Sequence, residues 1–143
     1  MKVSTGMVLI LVGLGLGLGM TTAQAAVVAV VSTKNPVAVL SRTQVTDIFL
    51  GRNNRFPDGR AAVPLDQAEG SVARSEFYNR YAGMSSPQVK AFWAKIIFTG
   101  RGQPPRAVAN DDEVKKMLAA NPRLIGYIDQ KMVDSSVKVL VVP

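Results

Sequence analysis

The chain has 143 residues, 48% of them hydrophobic, with 17 lysines and arginines against 10 aspartates and glutamates and a formal net charge of +7. It contains no cysteine and no histidine, which excludes disulfide staples, the usual cysteine–histidine zinc sites and any nucleophile–imidazole pair. Only carboxylates remain for catalysis and none are paired suggestively, so neither an enzyme nor a cofactor is expected; the basic balance suits anionic ligands or acidic partners.

Residues 1–25, MKVSTGMVLILVGLGLGLGMTTAQA, set Lys2 before an apolar run from Met7 to Met20 and end in Ala23-Gln24-Ala25. This is the pattern of a secretory signal peptide with an A-x-A site, expected to be cut between Ala25 and Ala26. A membrane anchor is the competing reading, but the run is short for a span and carries Gly13, Gly15, Gly17 and Gly19. The expectation is a periplasmic protein whose residues 26–143 form one domain. Export makes nucleic acid an unsuitable partner, and the scattered cations form no basic amphipathic helix for a membrane surface.

AAVVAVVS (26–33) is a continuous apolar run, the signature of a strand buried on both faces. LSRTQVTDIFLG (40–51) predicts a helix. Ser41 and Gln44 make a capping box, Leu40 and Val45 a hydrophobic staple, and Gly51 the C′ residue, with Val45, Ile48 and Phe49 as the buried stripe. RNNRFPDGR (52–60) is turn chemistry throughout. AAVPL (61–65) reads as a short strand, with Pro64 setting it near an edge or at its end.

From Ser71 a helix carries Ala73, Phe77 and Tyr81 on one face until GMSSPQ (83–88) breaks it. Ser86 as N-cap, with Pro87 at the first helical position, opens the next helix. That helix is expected to bury Val89, Phe92, Trp93, Ile96 and Ile97 and to end at Gly100. RGQPPRAVAN (101–110) reads as a basic, proline-containing loop. Asn110 caps a helix running to about Ala120, with Glu113 completing a second box, Asp111 and Asp112 favourable in the first turn, and Pro122 as the stop. LIGYI (124–128) and VKVLVV (137–142) are the last strands, with Tyr127 at a strand end and Gly126 at a close backbone approach. The alternation predicts one α/β sandwich.

The phrases NPVAVLSRTQVTDIFLGR, PDG, GSVARSEFY, FWAKIIFTGRGQPP and NPRLIGYI follow one another from residue 35 to residue 128. In that order the chain resembles the phosphate ABC transporter substrate-binding proteins of the periplasmic-binding-protein superfamily, over about Val27 to Ile128, and more narrowly their short, single-lobe members. The resemblance implies an α/β fold, one lobe of a type II periplasmic-binding-protein-like fold with a mixed sheet flanked by helices. Full-length relatives close two such lobes on an oxyanion. There, an arginine, two further residues and Gly-Ser-Gly-Thr open a helix with a phenylalanine one turn on. Aligning Phe77 with that phenylalanine sets Gly70 and Ser71 on the family's Gly-Ser and Gln67 at its arginine, while Val72 and Ala73 replace Gly-Thr. The charged clamp and one hydroxyl are gone.

The loop also has a physics of its own. A helix N-terminus presents unpaired N–H groups and partial positive charge, Ser71 adds a hydroxyl, and Arg74 stands one turn in with a full charge. Two readings stay open: an anion site of Gln67, Gly70, Ser71, Val72 and Arg74, or a plain N-cap with a solvated arginine. Glu69 weighs against tight binding. Arg101 and Arg106, around the stiff Pro104-Pro105 step, offer either a docking surface for an acidic periplasmic or inner-membrane protein or a solvated connection. The expected function is weak binding of phosphate or a similar oxyanion; the alternative is an interaction domain that has lost its ligand. A transporter role does not follow from the fold.

Overall fold

The apolar run becomes β1 (Val27–Ser32) in a computed structural model that describes Gly19 and residues 26–143. The expected signal peptide, Gly19 aside, lies outside the described residues. Val27, Ala29 and Val31 enter one core cluster and Val30 the other, so a single strand supplies both faces of the sheet. α1 (Arg42–Phe49) has its capping box closed in both directions, from Gln44 N–H to Ser41 Oγ at 3.0 Å and from Ser41 N–H to Gln44 Oε1 at 2.8 Å. Gly51 leaves the helix at φ +73°, where a side chain would be strained.

β2 (Val63–Gln67), α2 (Val72–Ala82) and α3 (Ser86–Phe98) follow, then β3 (Arg106–Val108), α4 (Asp111–Ala120), β4 (Leu124–Asp129) and β5 (Val137–Val139). The five strands form a mixed sheet in the order β3-β2-β4-β1-β5. β2 runs parallel to β3 and β4, whereas β1 is antiparallel to β4 and β5. One face packs under α1, α2 and α3 through Val45, Phe49, Phe77 and Trp93; the other packs under α4 through Val114 and Leu118. Among the described residues no helix is long and apolar enough to cross a membrane.

Several local expectations need correction. β3 lies inside the stretch read as a loop, and its three residues pair with Leu65 to Gln67 of β2. β2 is therefore one strand in from the edge, with Pro64 near its start, in keeping with a proline set near an edge or at a strand end. Val63 donates to Arg123 O at 2.9 Å on the β4 side, so Pro64 turns its nitrogen toward β3, whose pairing starts one residue later at Leu65. No ladder hydrogen bond is lost there.

The N-cap of α3 is Ser85, boxed with Gln88, and Ser86 is already helical. α3 buries Val89 and Trp93 and half-buries Phe92 and Ile96, but Ile97 is 55% exposed and Phe98 92%. Asn110 Oδ1 accepts from Glu113 N–H at 3.1 Å, which is the forward half of the expected box. Tyr127 stands inside β4, fully buried, and not at its end. Gly126 does sit at a close approach, since a Cβ there would lie 2.6 Å from Val114 Cγ1 of α4.

Candidate functional site

The carboxyl end of β2 carries Asp66, directly after the apolar residues Val63, Pro64 and Leu65, and folding buries it to 3% exposure. A buried carboxylate needs partners, and the surrounding elements supply them. Tyr78 of α2 donates its hydroxyl to Oδ2 at 2.6 Å, and Tyr127 of β4 donates to Oδ1. Gln67 N–H reaches Oδ1 at 2.9 Å, and Arg74 Nε stands 3.4 Å from Oδ2. The Arg74 guanidinium also lies over the Tyr78 ring, 5.3 Å from its centroid. Burial first, and then the Asp66 charge, hold both phenol groups well above their ordinary range, so both stay protonated donors. The aromatic layer beneath is continuous: Phe77 stacks on Tyr127 with centroids 4.1 Å apart and tilts against Phe49 at 4.5 Å.

Gln67 is equally engaged. Its Nε2 donates to Asp111 Oδ1 at 2.6 Å and to Tyr127 O at 3.0 Å, while Asp111 Oδ2 accepts from Asp129 N–H at 3.3 Å. One polar network thus ties β2, α2, β4 and the start of α4 together. Asp66 accepts three hydrogen bonds, faces the Arg74 guanidinium and is out of solvent, which suits it to fixing α2.

Beside the network, an open cleft of about 320 Å³ separates the amino termini of α2 and α4, lined by Gln67, Ser71, Ala73, Asn110, Asp111 and Met132 among others. Ser71 Oγ accepts from Arg74 N–H at 3.0 Å, so the N-cap is made. Gly70 has φ +89° with nothing within 4 Å of a would-be Cβ; the backbone conformation, not a near neighbour, calls for glycine. Val72 is exposed at the first helical position.

The two termini differ in charge. α4 begins with Asp111, Asp112 and Glu113, whereas the first turn of α2 has no acid. Gln67, Gly70, Ser71, Val72 and Arg74 are therefore brought together, but Arg74 turns its guanidinium to Asp66. Sequence reasoning passed over Asp66, Tyr78 and the Tyr127 hydroxyl as a unit. The signal available was an aspartate directly after the apolar run AAVPL.

Arg101 and Arg106 sit apart from this cleft. Arg101 lines a 410 Å³ hollow with Arg52, Phe92 and Ile96, and Arg106 lines a 260 Å³ hollow with Ile48, Pro64 and Pro105. Trp93 and Gln103 belong to both, so the two arginines flank one groove floored by Trp93.

No protein-family profile matches the chain, and no curated protein is similar to it in sequence. Solved structures are similar in fold. An ABC-type phosphate transport receptor from Vibrio cholerae superposes with a TM-score of 0.65 at 20% identity, over 81% of this chain and 45% of that one. A protein from Clostridium perfringens, described as a phosphate ABC transporter substrate-binding protein with bound phosphate, gives 0.63 at 20% identity, over 81% and 44%. PstS from Borrelia burgdorferi gives 0.59 at 16% identity, over 82% and 47%. The chain spans less than half the length of each, and its fold is that of one lobe of a periplasmic-binding-protein-like structure.

Proposed function

We propose that residues 26–143 are an exported, non-catalytic binding domain that holds phosphate or a similar small oxyanion weakly at the amino terminus of α2. The observation that carries this reading is the acid-free first turn of α2, led in by Gly70 and Ser71 and opening on a cleft. The N–H groups of Val72 and Ala73 lie ahead of the first intrahelical bond, Ser75 N–H to Ser71 O at 3.2 Å, and are free for an acceptor. The phosphate bound to the similar Clostridium perfringens protein supports the ligand class. Arg74 lends little net charge because Asp66 offsets it, and Asp111 and Asp112 face the same cleft. Affinity on the order of millimolar follows from a half-site of this kind.

The test is a thermal melt of the purified protein in phosphate and in chloride of equal ionic strength. A phosphate-specific rise in Tm that shrinks in Ser71→Ala is the expected result. No rise beyond the chloride control would sink the reading.

A second reading, a domain that docks an acidic periplasmic or inner-membrane protein, is favoured by the groove between Arg101 and Arg106. No carboxylate lines that groove, and Phe98 and Ile97 stand exposed in the same region of α3. Arg101→Glu with Arg106→Glu should abolish capture of such a partner while Ser71→Ala leaves it intact; the reverse pattern would reject it.

A further inference from the structure

A group of three arginines lies at the other end of the sheet. β2 and β4 are parallel and start side by side, with Val63 opposite Leu124. The residues just before each strand meet in a cleft of about 480 Å³ lined by Arg55, Gly59, Arg60, Ala61, Pro122 and Arg123. We propose that this cleft is a separate binding site for an anion bearing two adjacent phosphoryl groups. It does not depend on the α2 site, which lies beyond the opposite end of β2, a strand about 13 Å long at ~3.3 Å per residue.

The loop that carries two of the arginines is held rigid. Phe56 is buried and donates its N–H to Arg60 O at 2.8 Å, and Gly59 N–H returns to Phe56 O at 2.9 Å with φ +87° at the turn. Ala62 N–H donates to Asn54 O at 2.9 Å, and Arg55 bridges Ala61. The Arg55 guanidinium is itself oriented, with Nη1 on Gly59 O at 2.8 Å. Arg123 is fixed through its backbone: its N–H donates to Asn121 Oδ1 at 3.0 Å and its carbonyl accepts from Val63.

Charge decides the ligand class. No carboxylate lines the cleft, and Asp58 Oδ2 stands 3.8 Å from Arg60 Nε in an exposed pair. Exposed pairs of that kind offset little charge. A single phosphoryl group carries about −2 at neutral pH, which leaves guanidinium charge unmatched. Two adjacent phosphoryl groups match three guanidiniums, whose planar forks suit phosphate oxygens.

Pyrophosphate is the soluble probe, and phosphatidylcholine vesicles containing diacylglycerol pyrophosphate, whose headgroup carries two directly linked phosphoryl groups, are the membrane probe. In calorimetry at fixed ionic strength, pyrophosphate should bind more tightly than orthophosphate or sulfate. Each guanidinium removed should weaken it by roughly tenfold, in Arg123→Gln and then in Arg55→Gln/Arg60→Gln/Arg123→Gln, with Ser71→Ala unchanged. Arg123→Gln keeps the backbone contacts that fix the segment, so it serves where the triple variant does not fold. Sedimentation with the vesicles, displaced by pyrophosphate, would identify a lipid headgroup as the source of the ligand; binding of pyrophosphate without sedimentation would identify a free one. Pyrophosphate binding no better than sulfate together with no vesicle sedimentation, or equal pyrophosphate binding in wild type and Arg123→Gln, overturns the proposal. Neither result touches the α2 reading, which stands or falls with Ser71→Ala in phosphate.

Discussion

Asp66 accepts from Tyr78, Tyr127 and Gln67 and pairs with Arg74, and each partner makes a different perturbation readable. Arg74→Ala strips a carboxylate that is 4% exposed of its only cation in the network. Breaking a buried pair costs about 3–5 kcal/mol. The two phenol hydroxyls that remain keep the expected loss near the lower figure, measured by urea unfolding. The variant is therefore a poor probe of anion binding, since its stability falls whether or not phosphate binds.

The tyrosines give a pH signature. Their native-state values are raised above the unfolded value near 10.0. Stability from this source is complete below about pH 10 and declines as pH rises from there, because only the unfolded chain then loses the protons. A spectrophotometric titration should show the tyrosinate bands of Tyr78 and Tyr127 arriving together with unfolding. Their appearance in a still-folded protein would contradict the buried hub.

Gly126 shows how one missing side chain sets the distance between two elements. A methyl group there would meet Val114 Cγ1 at 2.6 Å, so Gly126→Ala must push α4 off β4 or twist Val114 from its rotamer. Overpacking of this kind costs about 1–3 kcal/mol, to be read as a lowered Tm with unchanged secondary structure. The close approach is legible in the sequence as a glycine inside a strand. So are β1, α1 and α4, where periodicity and capping residues agree with each other.

The misses have physical causes. β3 has three residues, two of them exposed, and exists through its pairing with β2, so nothing local announces it. Ile97 continues the apolar stripe of α3 but lies beyond the arc the sheet covers, and it stays outside. The α3 cap was legible after all: a box needs Gln88 three residues after the serine, which selects Ser85 over Ser86. At the candidate site, Gly70 and Ser71 announce the helix start. The destination of Arg74 depends on an aspartate and two tyrosines from three other positions in the chain, which no local pattern encodes.

Across the whole molecule the sheet has two unlike ends. The carboxyl ends of β2 and β4 hold the Asp66 network and the acidic start of α4; their amino ends hold Arg55, Arg60 and Arg123. The net charge of +7 says nothing of this division. The connectivity has an equally global consequence. β1 lies between β4 and β5, its two partner strands among the described residues. Removing residues 134–143 takes away β5 and leaves β1 an unpaired edge with Val30 and Val31 uncovered on that side. That deletion should yield an aggregating chain without a cooperative melt, checked by calorimetry and light scattering.

The same arrangement sets a clock. The partners of β1 are made roughly a hundred residues after it, and closing a loop of that length is slow compared with local helix formation. While the ribosome is still adding the middle of the chain, the first strand has no neighbour and the sheet cannot close. The first strand therefore waits, exposed, until the last strands have emerged.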